Sequence, residues 1–209
     1  MAASVGWPAP AKINRFLHIT GRRPDGYHLV QTLFQFIEPW DWLDFTPTGD
    51  GSIDREGGMS DLPPEADLVV QAAAALQSYA GVTAGVRIRV DKRIPAGGGL
   101  GGGSSDAATT LLALNHLWGC ALSGAVLEAL ALELGADVPV FVRGQAAWAE
   151  GIGERLTAVA PDRPWLVVLD PGVHVDTRSV FRDPKLTRHT ERITISRFDR
   201  MVLRNDCEG

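Results

Sequence analysis

The spacing of apolar and polar positions predicts a chain that begins with strands. Residues 11–20, 29–37 and 42–45 have apolar positions spaced as in strands. Between the first two runs, GRRPDGYH at residues 21–28 predicts a turn, because Pro-Asp-Gly favours a tight reversal of the chain. Residues 49–64 are rich in Gly, Asp, Ser and Pro, which predicts a loop.

The middle of the chain predicts three helices, each with a polar residue suited to cap its first turn and a glycine suited to end it. They run from Asp67 to Tyr79 before Gly81, from Ser104 or Ser105 to about Trp118 before Gly119, and from Ser123 to about Leu134 before Gly135. Residues 86–90 alternate as a strand, residues 165–170 (WLVVLD) predict a short buried strand, and residues 196–204 predict a further helix. The strand-rich start followed by mixed elements indicates the α+β class.

The composition narrows the class of protein. Hydrophobic residues make up 45% and charged residues 22%, which is typical of a globular protein and excludes disorder, collagen and coiled coil. The formal net charge of -5 argues against a nucleic-acid-binding surface, and no apolar run approaches the ~20 residues of a membrane span. Cys120 and Cys207 lack the spacing of a metal or redox motif, which favours a reducing compartment. We therefore expect a soluble, cytoplasmic protein that acts on a small molecule.

The most specific chemical signal is the glycine-rich segment PAGGGLGGGSSD at residues 95–106. Six glycines in seven positions follow a predicted strand and open a predicted helix, so backbone N–H groups can approach a ligand closely. The positive end of a helix dipole at the same place favours a phosphate. The segment is not a Walker P-loop, since no Lys precedes Ser104, and Pro95 does not suit a dinucleotide fingerprint. A flexible linker is less favoured, because ordering six glycines costs much backbone entropy.

This segment, extended to PAGGGLGGGSSDAA, resembles the ATP-binding loop of the GHMP kinases. Five further segments resemble the same family, and with the loop they follow its order along the whole chain. They are PAKIN at residues 10–14, GRRPDGYH at residues 21–28, GADVPVF at residues 135–141, EGIGERL at residues 150–156 and NDCE at residues 205–208. The DGYH and GADVP segments are most similar to members that phosphorylate the 2-hydroxyl of 4-diphosphocytidyl-2-C-methyl-D-erythritol. The resemblance therefore implies an ATP-dependent phosphotransferase of non-mevalonate isoprenoid (terpenoid) biosynthesis.

The resemblance also implies a fold with two domains. Residues 1–160 are expected to form an ATP-binding α+β domain of ribosomal-protein-like topology with a left-handed βαβ crossover, which pattern rules alone would not predict. Residues 161–209 are expected to begin a ferredoxin-like domain on the substrate side. Because the sequence stops at NDCEG, we expect that domain to be truncated and the family's third glycine motif to be absent.

Two residues are implied to take part in the chemistry. Asp137 resembles the family's catalytic aspartate, which accepts the proton of the substrate's tertiary hydroxyl, and Lys12 resembles the lysine beside it. On physical grounds, a lysine there would keep Asp137 ionised, orient the hydroxyl and neutralise the γ-phosphoryl group. The alternative for Asp137 is a loop residue after a helix that accepts backbone hydrogen bonds.

The resemblance assigns substrate-binding residues as well. Tyr27 and Phe181 match aromatic residues on the two sides of a cytosine ring, and His28 matches the residue that hydrogen-bonds the polar edge of the base. Asn14 and Thr177 match positions that contact the substrate near the reacting hydroxyl and in the nucleotide-binding region. The alternatives that stay open are a turn anchor for Tyr27 and a core position for Phe181.

The expected phosphoryl donor is ATP, accompanied by Mg²⁺. The residues expected to bind ATP are those of the loop, namely Pro95, Ala96, Gly97, Gly98, Gly99, Leu100, Gly101, Gly102, Gly103, Ser104 and Ser105. Ser105 is the candidate Mg²⁺ ligand, with Asp106 as an outer residue. Lys92, which precedes the loop, is a candidate for contact with a phosphate.

Two alternative functions stay open at this point. The chain can be a GHMP kinase for another small alcohol, of the homoserine or mevalonate type, but those enzymes need no cytosine site and DGYH argues against them. It can also be a nucleotide-binding form without turnover. An assay of ADP release with each alcohol distinguishes the three.

Overall fold

The structure is a computed structural model that describes residues 3–58, 63, 66–170, 172, 177–196 and 204–207. Its strands are β1 (Ser4–Arg22), β2 (His28–Thr48), β3 (Ile53–Gly57), β4 (Gly85–Asp91), β5 (Ala147–Glu150) and β6 (Arg155–Ala158). Its helices are α1 (Leu68–Ala80), α2 (Gly102–Leu117), α3 (Gly124–Leu134), α4 (Val138–Arg143) and α5 (Thr177–Arg182). This content confirms the predicted α+β class. Within the described residues, no helix is both long and apolar enough to cross a membrane.

The chain divides into two compact units. The first comprises Met1–Ala11, Ile37–Pro95 and Gly101–Gly144, and the second comprises Lys12–Phe36, Ala96–Leu100 and Gln145–Gly209. Strands β1 and β2, which pair with each other, therefore each contribute residues to both units. The predicted domain boundary at residue 160 stays a prediction.

In the first unit, strand β4 lies between two partners. It pairs in antiparallel fashion with the second half of β2, where Leu43 lies opposite Val90 and Phe45 opposite Ile88. It pairs in parallel with β3, so β3, α1 and β4 form a βαβ unit. Helix α1 packs on α2, and α4 packs on both α2 and α3. Buried apolar side chains from these strands and helices form the core that holds the start of α2 in place.

In the second unit, the first half of β2 pairs in antiparallel fashion with β5, and β5 pairs with β6. The core of this unit is formed by buried side chains from β1, β2, β5 and the C-terminal region, namely Phe16, Leu33, Trp148 and Ile193. The apolar side chains of β1 and β2 therefore lie on one packed face of the sheet. Because successive side chains of a strand alternate between faces, this packing also determines the face on which the neighbouring polar side chains lie.

The capping residues predicted two helices correctly. The Asp67 side chain accepts a hydrogen bond from the Val69 N–H at the start of α1, and the Ser123 side chain accepts one from Val126 at the start of α3. The prediction for the start of α2 was wrong by three or four residues, because Gly101 rather than Ser104 or Ser105 stands at the N-cap, with φ of 73°. Both serines lie inside the helix.

Other sequence predictions need correction. The predicted loop at residues 49–64 contains strand β3, which pairs with β4, and the two strands predicted at 29–37 and 42–45 are one continuous strand, β2. The apolar run at 165–170 is neither a strand nor buried, and Trp165 is fully exposed. A strand needs a neighbour for its backbone groups, and none of the described residues pairs with this run. Most of the helix predicted at 196–204 lies outside the described residues.

Candidate active site

The glycine-rich loop leads directly into helix α2. Gly101 adopts a left-handed conformation, and the carbonyl of Gly101 accepts the first hydrogen bond of α2 from the Ser105 N–H at 2.9 Å. The N–H groups of the first turn have no partner within the helix, as at every helix start. With the dipole of a 16-residue helix behind them, these N–H groups form a site suited to phosphate oxygens.

Gly102 lies where the first turn of α2 is tightly packed. A Cβ at Gly102 would lie 3.1 Å from the Nζ of Lys92 and 3.1 Å from the Cγ2 of Ile94, so these neighbours would have to move to accommodate it. The residues before the loop therefore pack directly against the first turn of α2. In the second unit, the Lys12 N–H donates to the Leu100 carbonyl at 2.9 Å, which fixes the other part of the loop to β1.

A buried ion cluster supports the start of α2. The Nζ of Lys92 contacts the Oδ2 of Asp41 and lies 2.8 Å from the Oδ2 of Asp106 on α2. Asp41 is fully buried, and its other carboxylate oxygen accepts hydrogen bonds from the backbone N–H groups of Arg93 and Ile94. The cluster therefore ties β2, the segment before the loop and α2 together. Lys92, the candidate phosphate contact, is bound to two carboxylates here, and its contact with a phosphate stays a prediction.

Two carboxylates in this cluster share one ammonium group. Burial raises the pKa of Asp106 to about 7, although Lys92 opposes the rise. Burial by itself would lower the pKa of Lys92, but Asp106 and Asp41 together raise it. Lys92 therefore stays charged, and Asp106 is the member of the cluster that gains a proton near neutral pH.

Lys12 and Asn14 project from β1 and lie together in the second unit. The side chain of Lys12 is buried, and its Nζ donates to the Oδ1 of Asn14 at 2.6 Å. The ammonium group also lies 5.3 Å from the centre of the Phe34 ring, a favourable cation–π distance. Two of the residues predicted from PAKIN are therefore in direct contact.

Thr32, which sequence analysis missed, determines the orientation of Asn14. The Thr32 hydroxyl donates its only proton to the carbonyl of Phe16, so it can only accept from the Nδ2 of Asn14, at 2.8 Å. The amide oxygen of Asn14 is thereby left to face Lys12. Nothing in the sequence pattern marks Thr32, because its role follows from the pairing of β2 beside β1.

Asp137 lies in the turn between α3 and α4, in the first unit. Its backbone is helical, with φ of -87° and ψ of -13°, and its side chain does not cap α4. The Val138 N–H bonds instead to the Gly135 carbonyl at 3.1 Å, and Pro139 follows in the first turn. Asp137 and Lys12 belong to different units, and their pairing stays a prediction.

The residues predicted for cytosine are partly brought together. The His28 ring packs on the Phe181 ring with centroids 5.2 Å apart and an interplanar angle of 31°. Tyr27 follows the turn that precedes β2, and its side chain is 61% exposed. Thr177 is the first residue of α5, and its side chain lies outside the described residues. Cytosine stacking between Tyr27 and Phe181 stays a prediction.

Arg188 is a second residue that sequence analysis missed. Its Nε donates to the Nε2 of His28 at 3.3 Å, and its Nη2 donates to the carbonyls of Asp183 at 2.7 Å and Phe181 at 3.3 Å. Burial lowers the pKa of His28, and the positive charges of Arg188 and Arg22 lower it further. His28 is therefore neutral near pH 7.

Two further motifs that resemble the family make hydrogen bonds to the strands of the second unit. In EGIGERL, the Oε1 of Glu150 accepts a hydrogen bond from the Gln31 side chain at 2.8 Å. In NDCE, the Oδ2 of Asp206 accepts from the Ile19 N–H at 2.8 Å and from the Thr190 hydroxyl at 2.6 Å. Both motifs hold the strands that carry Lys12 and His28.

The described residues contain no group of three or more His, Cys, Asp or Glu side chains placed to hold a metal ion. Ser105 is fully buried on α2, and its Oγ has no hydrogen-bond partner within the described part of the chain. Mg²⁺ bound with a nucleotide keeps several waters and phosphate oxygens and needs few protein ligands. An unpartnered hydroxyl in the second turn of α2 is compatible with that need, and Ser105 stays the candidate ligand.

The chain is similar to known proteins along nearly all of its length. Residues 67–145 match the family described as GHMP kinases N terminal domain. The 4-diphosphocytidyl-2-C-methyl-D-erythritol kinase of Nitrosococcus oceani is 54% identical over 97% of this chain and 72% of its own length. A solved structure of 4-(cytidine 5'-diphospho)-2C-methyl-D-erythritol kinase is 39% identical with a TM-score of 0.71, and the match covers 89% of this chain and 65% of that one.

A further solved structure has a similar fold but a very different sequence. Homoserine kinase from Cytophaga hutchinsonii has a TM-score of 0.63 over 95% of this chain and 64% of its own, but only 18% identity, so it shows a shared fold alone. The expected GHMP fold is thereby confirmed, and the identities favour the cytidyl-substrate kinases over the homoserine type. The chain belongs to the 4-diphosphocytidyl-2-C-methyl-D-erythritol kinase family of the GHMP kinases.

Proposed function

We propose that this chain transfers the γ-phosphoryl group of ATP to the 2-hydroxyl of 4-diphosphocytidyl-2-C-methyl-D-erythritol, a step of non-mevalonate isoprenoid biosynthesis in the cytoplasm. The observation that carries the proposal is the glycine loop opening α2, where Gly101 is left-handed and a Cβ at Gly102 would lie tightly against Lys92 and Ile94. The names of the similar kinases support the choice of acceptor.

The triphosphate of ATP binds at the loop, residues 95–105. The N–H groups of the first turn of α2 donate to phosphate oxygens, and the cluster of Lys92, Asp41 and Asp106 keeps that turn in position. Ser105 is the residue of the loop that would ligate Mg²⁺. When bound, Mg²⁺ neutralises charge on the phosphate oxygens.

Asp137 accepts the proton of the 2-hydroxyl as that oxygen bonds to the γ-phosphorus and the bond to ADP breaks. Lys12 supplies positive charge that favours the ionised aspartate and the developing charge on the phosphoryl group. The contacts of Lys12 with Asn14 and Phe34 support this role, because they hold the ammonium group in one place.

The cytidine end of the substrate binds at the start of β2. His28 hydrogen-bonds the base, while Tyr27 and Phe181 offer aromatic faces on which it stacks. Asn14 and Thr177 contact the remainder of the substrate. The exposed ring of Tyr27 supports this arrangement, since a stacking residue must be accessible to the base.

A coupled assay of ADP release tests the proposal with three acceptors: 4-diphosphocytidyl-2-C-methyl-D-erythritol, homoserine and mevalonate. We expect turnover that depends on the cytidyl substrate and exceeds that with the other two by orders of magnitude. Equal or higher turnover with homoserine or mevalonate would contradict the proposed acceptor. ATP binding without turnover on any of the three would indicate a nucleotide-binding form.

A further inference from the structure

Arg188 connects two of the residues proposed to bind the base. Its guanidinium donates from Nη2 to the carbonyls of Phe181 and Asp183, and from Nη1 to the carbonyl of Leu186 at 3.1 Å. The Nε–H points at the Nε2 of His28, at 3.3 Å. The guanidinium is therefore held by three backbone carbonyls and directed at one ring nitrogen.

In the hydrogen bond between Arg188 and His28, arginine must be the donor and histidine the acceptor. An arginine side chain has five N–H donors and no acceptor, and it does not lose its proton in proteins. The Nε2 of His28 must then accept, which places the proton of the neutral ring on Nδ1. Packing against Phe181 holds the ring in this orientation, and within the described residues Nδ1 has no hydrogen-bond partner. In the part of the chain that the structure describes, His28 therefore offers an N–H donor that no protein group uses.

A free donor distinguishes the two common pyrimidines. Cytosine presents N3 and O2 as acceptors, whereas the N3 of uracil carries a hydrogen and is a donor. A donor facing N3 forms a hydrogen bond with cytosine and a donor–donor repulsion with uracil. Specificity of this kind comes as much from the penalty for the wrong base as from the bond to the right one.

We propose that Arg188 is a positioning residue that fixes the tautomer of His28, so that the Nδ1–H of His28 selects a cytidine diphosphate over a uridine diphosphate. The proposal rests on the proposed function, because it takes His28 to lie at the base of the substrate. Arg188 acts through His28 and does not itself contact the base.

Nitrogen NMR of protein labelled with ¹⁵N-histidine tests the first step without any ligand. The signals of His28 are assigned from their loss in His28→Gln. We expect a protonated Nδ1 and an unprotonated Nε2 in the wild type near neutral pH, and loss of this single tautomer in Arg188→Met. Arg182→Met, which removes an exposed arginine from α5, is the matched control and should leave the tautomer unchanged. A wild-type His28 protonated on Nε2 would overturn the proposal.

Calorimetric titration with cytidine 5′-diphosphate and uridine 5′-diphosphate, with ADP present to occupy the glycine loop, tests the second step. We expect the wild type to prefer the cytidine compound by about tenfold or more, and Arg188→Met to lose most of that ratio. A merely structural arginine would weaken both ligands equally and leave the ratio intact, which would overturn the proposal. If the wild type binds neither diphosphate, the proposed function and the proposed selection of cytosine by His28 both fail. The NMR experiment then decides separately whether Arg188 sets the tautomer of His28.

Discussion

A single hydroxyl proton, that of Thr32, determines which way the amide of Asn14 points. Thr32→Val keeps the shape of the side chain but removes the hydroxyl that accepts a hydrogen bond from the Nδ2 of Asn14 and donates one to the carbonyl of Phe16. We expect the free energy of unfolding to fall by about 1–3 kcal/mol, the usual cost of losing buried hydrogen bonds of this kind. The turnover rate kcat should fall as well, because Asn14 no longer presents its oxygen to Lys12.

Urea unfolding and steady-state kinetics measure both effects of the Thr32 change. Thr32→Ser is the matched control, since it keeps the hydroxyl, and it should retain most of the stability and most of kcat. A valine variant that matches the serine variant in both measurements would show that the hydroxyl does not orient Asn14.

Asp137 is the proposed proton acceptor, and its amide variant removes that capacity with little change in shape. We expect Asp137→Asn to stay folded and to lower kcat by about 10²–10⁴, the usual contribution of a general base. The side chain makes no capping hydrogen bond to α4, and asparagine is also a favoured residue at a helix start, so we expect the variant to fold. Circular dichroism and ADP release measure the two properties. Near-normal turnover in a folded variant would remove Asp137 from the mechanism.

His18 should make stability depend on pH. Its side chain is buried, and burial lowers the pKa of His18, with Asp206 opposing the decrease and Arg204 adding to it. The folded state then binds fewer protons than the unfolded state, so the contribution of His18 is complete above the unfolded pKa and is lost as the pH falls through the folded one. We expect the wild type to lose stability more steeply than His18→Gln between about pH 7.5 and about pH 5.

Urea unfolding at several pH values measures this difference. His116→Gln, at an exposed histidine of α2, is the control and should follow the wild type. Parallel curves for the wild type and His18→Gln would mean that burial of His18 does not disfavour its charged form.

The family resemblance pointed to residues that lie in contiguous motifs and missed those whose contacts depend on distant partners. It implied roles for Lys12, Asn14 and His28 through PAKIN and DGYH, and these roles stay predictions. Arg188 was not predicted, because its partner His28 lies 160 positions away in the sequence. Thr32 was not, because a threonine in an apolar strand has no distinctive local pattern until the strand is paired.

The start of α2 is the element on which we expect nucleotide binding to depend. Gly101→Val places a β-branched residue at a positive φ, which costs about 1–2 kcal/mol or more, and adds methyl groups where phosphates are expected to approach. We expect ATP affinity to fall by at least about tenfold while the protein still folds. Calorimetry with ATP and thermal unfolding measure the two effects.

Gly124→Val is the matched control for the loop. Gly124 opens α3, and a Cβ there would meet nothing within 4 Å. This variant should bind ATP as the wild type does. Unchanged ATP affinity in Gly101→Val would exclude the loop as the phosphate site.

Helices with strong local end signals were predictable, and short elements were not. Asp67, Gly81 and Ser123 marked α1 and α3 because capping is a local interaction. Strand β3 and helix α4 were missed, since five or six residues give too little periodicity to outweigh glycine, proline and polar neighbours. The start of α2 was misplaced because a left-handed glycine can occupy the N-cap without a side-chain cap.

For the whole molecule, the resemblance to the GHMP kinases predicted more of the fold than the hydrophobic and polar patterns did. Patterns gave the α+β class and most of the strands of the first unit, while the pairing order of β3, β4 and β2 depends on contacts far apart in sequence. The apolar run at 165–170 is a strand that was predicted but is not observed, because hydrophobicity alone predicted a buried strand at an exposed segment. Both the strand order and this exposed segment depend on which strands pair in the folded protein, and a single sequence does not reveal that pairing.

Phosphorus NMR shows directly whether the γ-phosphoryl group of ATP is transferred to the 2-hydroxyl of the cytidyl substrate. In a mixture of this protein, ATP, Mg²⁺ and 4-diphosphocytidyl-2-C-methyl-D-erythritol, we expect ADP together with a new phosphomonoester signal in equal amount. The diphosphate signals of the cytidyl group should be retained. Formation of ADP with inorganic phosphate alone, or loss of the cytidyl diphosphate signals, would contradict the proposed transfer.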